Sequence, residues 1–147
     1  MEIINNIEWF INTNPNTAKN KITNKQITKN ELETIIFDDS IIENIKFSLP
    51  LNNNFLFFET RKIFVPITVI QLLTLIYKFY KEPLLLKNIN KSFEENEEWK
   101  EEIIDYYNGD ITKLTNYDVF TDICTPDFCG LDLNTETGEY MILIGPE

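Results

Sequence analysis

The sequence predicts an α+β fold, with an antiparallel sheet and two main helices in a single compact domain. Apolar residues recur every three to four positions over residues 68–81 and 92–107, which is the period of a helix that buries one face. Elsewhere, short runs of alternating apolar and β-branched residues are typical of strands. The chain has 147 residues, of which 43% are hydrophobic, enough for one domain with its own core.

A pair of strands is predicted in the middle of the chain. Over residues 45–51, apolar residues alternate with polar residues or proline, as in a strand with one buried face. Residues 52–54 are three asparagines, which favour a turn. Residues 55–65 are rich in aromatic and β-branched side chains. We therefore expect a hairpin, or two neighbouring strands, in this region.

The first main helix is predicted over residues 68–81. Its principal apolar residues follow the i, i+3, i+4, i+7 spacing, and others lie on its remaining faces. Thr68 is a suitable N-cap, and Pro83 ends the helix because proline lacks a backbone donor and restricts the residue before it. We expect this helix to be buried on nearly all sides.

The second main helix is predicted to begin at Ser92, because Ser92 and Glu95 have the spacing of a capping box. Its apolar stripe consists of Trp99, Ile103, Tyr106 and Tyr107, and the pair Asn108 and Gly109 provides a left-handed stop. Six glutamates crowd its outer surface: Glu94, Glu95, Glu97, Glu98, Glu101 and Glu102.

The remaining segments divide the chain into two parts. Residues 1–30 combine an N-terminal apolar segment with a polar, Lys/Asn-rich loop that we expect to be solvated and mobile, and residues 31–147 form the α+β domain. Asn30 is a candidate cap for a short helix through residues 35–36. The last third predicts three strands, over residues 119–124, 128–133 and 139–144, with a hairpin loop over 134–138.

The composition excludes several kinds of site. The chain has no histidine, which removes the Ser–His–Asp and Cys–His catalytic systems and histidine-ligated metals. Cys124 and Cys129 cannot supply the four ligands of a zinc site, and we expect a reduced pair. The formal charge of −11 disfavours nucleic-acid binding through the body of the domain. No apolar run is long and continuous enough for a membrane span, so we expect an intracellular protein.

Two alternative functions stay open. The first is an acid-based, metal-dependent hydrolase, although no converging set of carboxylates is evident and we predict no catalytic residue, metal or cofactor. Its candidate ligands are Asp38, Asp39, the glutamates of 94–102, Asp118, Asp122 and Asp127. The second alternative is a nucleotide or RNA-end binder that uses Trp9 or Trp99 as a stacking platform.

The favoured function is a non-enzymatic interaction protein that docks on another protein. An acidic helix face would speed association with a basic partner, and a strand with large apolar residues on both faces is either central or part of an interface. A homodimer would account for one such apolar patch. The candidate interaction residues are Phe55, Phe57, Glu94, Glu98, Trp99 and Glu102.

Two groups of motifs form a recurring pattern: Ile67-Thr68-Val69, Leu72-Leu73, Ile76-Tyr77, Phe79-Tyr80 and Pro83-Leu84 in the first, and Phe128-Cys129-Gly130-Leu131 and Tyr140-Met141-Ile142-Leu143-Ile144-Gly145 in the second. In this pattern the chain resembles a domain of unknown function shared by fungal and giant-virus (mimivirus-like) proteins. The resemblance covers residues 55–145 with long gaps, and the acidic second helix and the Asn-rich N-terminus depart from it.

The resemblance implies a viral or virus-like protein with the predicted fold, and it supplies no catalytic residues. A bias in composition agrees with this origin, because 22 Ile, 18 Asn and 12 Lys against one Arg indicate an AT-rich genome. For a viral protein, the expected location is the host cytoplasm or the virion.

Overall fold

A computed structural model describes residues 2–37, 44–49, 57–63, 66–95, 97–120, 126–134, 136–137 and 139–145. Its helices and strands confirm the α+β class. The helices are α1 (Glu2–Asn5), α2 (Lys29–Leu32), α3 (Val69–Lys81), α4 (Leu86–Glu95) and α5 (Glu97–Tyr106). The strands are β1 (Ile7–Glu8), β2 (Lys19–Asn20), β3 (Ile35–Phe37), β4 (Asn44–Leu49), β5 (Phe57–Lys62), β6 (Ile67–Thr68), β7 (Asp127–Asn134) and β8 (Glu139–Gly145).

The main sheet has four strands in the order β5–β4–β8–β7. The antiparallel pairs β4–β5 and β7–β8 confirm the two hairpins expected from the sequence. The sheet is mainly antiparallel, as expected, but its two central strands β4 and β8 run parallel, with Phe47 opposite Ile142. The long connection through α3, α4 and α5 allows the returning chain to enter the sheet in this direction.

The core lies between one face of this sheet and α3. Ile45, Phe47 and Leu49 of β4 are buried on that face. The ring of Phe47 stacks on Phe79 of α3, with ring centroids 4.2 Å apart. The buried hydroxyl of Tyr80 donates to the carbonyl oxygen of Ser48 at 2.9 Å, so a hydrogen bond as well as apolar packing joins α3 to the sheet.

Helix α3 forms as its sequence predicts. The Thr68 hydroxyl accepts from the Gln71 backbone N–H, and the Gln71 side chain accepts from the Thr68 N–H, which completes a capping box. Six residues of the helix are buried, and its exposed positions are Gln71, Lys78 and Lys81. The helix ends at Lys81, two residues before Pro83. It is therefore buried on most of its circumference, with a polar stripe facing outward.

The second main helix differs from its prediction. The chain is already helical at Leu86, so Ser92 lies inside α4 and does not begin a helix, and α5 follows as a separate helix. Burial of Asn88 and Ile89 places the first turn of α4 against the core, and this packing outweighs a local capping signal. The predicted stop is confirmed, since Asn108 and Gly109 both have positive φ angles, of 54° and 81°.

Two further boundaries need correction. Thr28 caps α2 in a capping box with Glu31, and Asn30 lies within the helix. Residues 35–36 are not helical but belong to β3, which pairs with β6. In a short segment of β-branched residues, pairing with another strand determines the secondary structure. Of the strand expected over 119–124, Val119 belongs to a 3-10 helix over Asn116–Val119, and residues 121–124 lie outside the described residues. Residues 38–40, 52–55 and 121–125, with the predicted turns there and Cys124, lie outside the described residues.

The N-terminal segment packs on the core, as its apolar residues suggest. Ile4, Ile7, Trp9 and Ile11 are all buried. The backbone N–H of Phe128 donates to the carbonyl oxygen of Trp9 at 2.9 Å, so this segment covers the outer edge of β7. The polar loop that follows is folded as well: β2 pairs with β1, and Ala18 and Ile27 are buried while its four lysines are exposed.

Candidate interaction surfaces

Helix α5 presents an acidic surface formed by Glu97, Glu101, Glu102 and Asp105, all of which are exposed. We call these four residues the acidic surface of α5. Beside them, the ring of Tyr106 is 77% exposed. This combination of several carboxylates and one large aromatic side chain on a single short helix is unusual for a purely solvated face, since large aromatic residues are mostly buried.

The acidic surface is unfavourable for the helix that carries it. Glu97 and Glu101, and Glu101 and Asp105, are four residues apart, and each like-charged pair at this spacing costs about 0.2–0.5 kcal/mol. Two of the four carboxylates, Glu102 and Asp105, lie in the second half of α5, toward the end where the helix dipole favours positive charge. The last turn of α5 contains no basic residue. Glu97, at the first position of α5, does suit the dipole, so helix stability gives no reason for the other three acids.

A hydrogen-bonded anchor fixes the end of α5 against the domain. The Tyr107 hydroxyl donates to the two carboxylate oxygens of Asp118, at 3.1 and 3.2 Å. Asp118 also accepts from the backbone N–H of Thr115 at 2.7 Å. Burial, together with the Asp118 charge and hydrogen bond, raises the pKa of Tyr107 to about 12. The ring of Tyr106 packs edge-on against Tyr107, 4.8 Å between centroids, and is thereby held in position.

The predicted interaction residues are distributed over three places. Glu102 is part of the acidic surface of α5 and is exposed. Glu98 and Trp99 also belong to α5, Glu94 belongs to α4, and Phe57 is the first residue of β5. For these four residues the structure describes the backbone and not the side chain. Phe55 lies outside the described residues. Tyr106 was predicted on the apolar stripe of this helix and not as an interaction residue; its 77% exposure corrects that prediction.

The second candidate surface is the outer edge of β5. In the described part of the chain, no strand pairs with this edge of the sheet. Phe58, Thr60 and Lys62 are exposed on the face of the sheet opposite α3. Glu59 and Arg61 lie on the α3 side. An edge strand offers unpaired backbone donors and acceptors to another chain.

Arg61 is held in place at this edge by two carboxylates and a ring. Its guanidinium donates to Glu59 at 3.3 Å and to Glu82 at 3.0 Å, and it lies 5.0 Å from the centroid of the Phe79 ring. Burial favours the neutral form, but the hydrogen bonds and charges of Glu82 and then Glu59 outweigh it and raise the pKa of Arg61. Sequence reasoning missed this cluster, because no local pattern shows which strand lies at the edge.

Trp9, one of the two tryptophans predicted as a stacking platform, is enclosed by the domain. Trp9 is 2% exposed and its indole N–H donates to the Thr13 carbonyl oxygen at 3.1 Å, so its ring faces are not open for a base. A cavity of about 280 Å³ lies beside it, next to Phe10 and Lys19. Another, of about 340 Å³, is lined by apolar parts of Tyr80 and Tyr117 among others.

Among the described residues, no three Cys, Asp or Glu side chains are placed to hold a metal ion together. Asp118 is engaged by Tyr107 and Thr115, and Asp127 is buried in β7. Asp122, Asp38 and Asp39 lie outside the described residues, as does Cys124, whereas Cys129 is half-buried and its thiol donates to the Asp127 carbonyl oxygen at 3.6 Å. Within the described chain, the helices are also too short and too polar to span a membrane.

Comparison with protein-family models, with curated proteins and with solved structures gives no match to this chain. The resemblance to the fungal and giant-virus domain therefore stays a prediction. The function has to be argued from the surfaces described above.

Proposed function

We propose that this chain is a non-enzymatic interaction protein that docks on a basic partner protein through the acidic surface of α5. The observation that carries the proposal is the presence on one helix of four exposed carboxylates, Glu97, Glu101, Glu102 and Asp105, and the exposed ring of Tyr106. A basic partner would neutralise the like-charge repulsion within α5. Tyr106 would supply the aromatic contact that often dominates the binding energy of an interface.

The rest of the proposal concerns origin and assembly. The biased composition and the resemblance favour a viral or virus-like source, with the protein acting in the host cytoplasm or the virion. Self-association is part of the proposed function as well, and it uses a different surface from α5. The overall charge of −11 would steer a basic protein toward the domain and would oppose association with nucleic acid.

The test is a differential capture experiment with matched charge variants. The α5 variant is E97Q/E101Q/E102Q. The control variant, E33Q/D132N/E136Q, removes three exposed carboxylates outside α5, so both variants change the net charge equally. Each purified chain is immobilised and exposed to a nuclease-treated extract of the native source, and the retained proteins are identified by mass spectrometry.

We expect a basic protein to be retained by the wild-type chain and by the control variant, and to be lost from the α5 variant. Retention by all three chains alike would place the contact elsewhere and contradict the role of α5. Equal loss from both variants would indicate a response to net charge only, which also contradicts a specific surface. Recovery of no partner by any chain would overturn the proposal.

A further inference from the structure

We propose that two copies of this chain pair through their β5 edges, antiparallel and about a two-fold axis at Thr60. The proposal gives a surface to the self-association named above and does not depend on the acidic surface of α5. It rests on three observations: β5 ends the sheet among the described residues, the side chains of Phe58, Thr60 and Lys62 are exposed while Glu59 and Arg61 are half-buried, and the sequence of β5 is complementary to itself.

The symmetry of a continuous sheet limits the registers that are available. In an antiparallel pair, directly opposite residues lie on the same face of the sheet. A two-fold axis perpendicular to the sheet must therefore pass through a residue that faces its own copy. Within the middle of β5 this residue is Phe58, Glu59, Thr60 or Arg61. Glu59 or Arg61 on the axis would put two like charges directly opposite each other, which is destabilising.

Thr60 on the axis gives the best complementarity of charge. Glu59 then lies opposite Arg61 of the second copy, and Arg61 lies opposite its Glu59, so the two edges form an alternating set of four charges. On the other face, the exposed ring of Phe58, which is 43% accessible, lies opposite the stem of Lys62. Two threonines meet at the axis, and threonine pairs also occur as favourable cross-strand neighbours. The remaining register, with Phe58 on the axis, is less favourable. It would place Arg61 opposite residue 55 of the second copy, which lies outside β5, so β5 would offer no partner for the charge of Arg61.

The local charge also favours this edge. Two chains of net charge −11 repel each other overall, but β5 carries Arg61 and Lys62 against Glu59 and has no excess of negative charge. The other end of the sheet is already covered, because the N-terminal segment bonds to the edge of β7. An edge-to-edge contact of five or six residues is small, so we expect a weak dimer, with a Kd in the micromolar range.

The test uses opposite single variants in sedimentation equilibrium, over about 5–500 μM protein so that a micromolar Kd is bracketed. E59R and R61E each place like charges opposite each other twice across the axis, and each should raise the dimer Kd about tenfold or more. Mixing the two variants makes both cross-strand pairs attractive again and should restore a dimer near the wild-type affinity. K29E, which changes the charge of an exposed residue on α2 as R61E does, should dimerise like the wild type.

R61E also removes the contacts of Arg61 with Glu82 and Phe79, so it could weaken the dimer by destabilising the fold. A further variant that leaves these contacts intact separates the two effects. T60E changes an exposed side chain and puts two carboxylates on the axis, so it too should weaken the dimer about tenfold. Circular dichroism confirms the fold of each variant.

A monomeric wild type up to the highest concentration would overturn the proposal, and the charges of β5 would then protect the edge from pairing. A wild-type dimer that T60E and E59R leave unchanged would also overturn it, because another surface would mediate the contact. Failure of the mixed variants to associate would contradict the register. The α5 variant should dimerise normally, so an α5 variant that dimerises and still captures the partner would contradict the proposed function alone.

Discussion

Replacing Gly130 by alanine should destabilise the domain, because the new side chain would clash with the N-terminal helix α1. Gly130 has a φ of +110° at a bulge in β7, a conformation that alanine adopts only with strain of about 1–3 kcal/mol. The added methyl group would lie 2.7 Å from the Asn5 Oδ1 atom. That oxygen accepts a hydrogen bond from the Leu131 N–H at 3.2 Å, and its displacement would cost about 1 kcal/mol more. The sum is about 2–4 kcal/mol.

Urea and thermal unfolding followed by circular dichroism measure this loss. For a chain of this size, the Tm of G130A should fall by about 6–12 °C. The matched control is G145A, whose methyl group would meet only Cys129 Sγ at an ordinary 3.8 Å. In the N5A background, G130A should cost about 1 kcal/mol less, because the obstructing amide is gone. Equal stability of G130A and G145A, or simple additivity with N5A, would refute the reasoning.

Three further changes test the contacts that hold the helices. T68A removes the N-cap of α3 and should lower the free energy of unfolding by about 1 kcal/mol, measured by urea unfolding. Y80F removes the buried bond to the Ser48 carbonyl and should cost about 1 kcal/mol; an unchanged urea midpoint would contradict that bond. Y107F removes the bond to Asp118 and should cost about 1 kcal/mol below pH 10, after allowance for solvent screening. Because the folded pKa of Tyr107 is raised to about 12, this contribution is lost as the pH rises from 10 through 12, so the difference between wild type and Y107F should shrink over that range.

The parts of the fold that local sequence determines were predictable. Helix α3 has its apolar period and its Thr68 cap within one segment, and the hairpin β7–β8 joins neighbouring runs. The parallel pairing of β4 with β8 joins residues almost a hundred positions apart, and no local pattern encodes it. The beginning of α4 depended on burial of Ile89, which overrode the capping signal at Ser92.

The candidate surfaces divide in the same way. The acids of α5 were recognisable because they are neighbours in sequence, and Glu102 is exposed as the prediction requires. The edge of β5 was not recognisable, because it depends on the order of strands in the sheet. The Thr28–Glu31 capping box of α2 was missed although its spacing is present in the sequence.

The most direct test of the central claim is the affinity of the captured partner for the α5 variant E97Q/E101Q/E102Q, measured by isothermal titration calorimetry beside E33Q/D132N/E136Q. Exposed charge pairs are each worth about 0.2–1 kcal/mol, so loss of three should weaken binding about tenfold. The control variant should bind as the wild type does, and the difference should diminish at high salt. Equal affinities of the two variants, at low and high salt alike, would contradict docking through the acidic surface of α5.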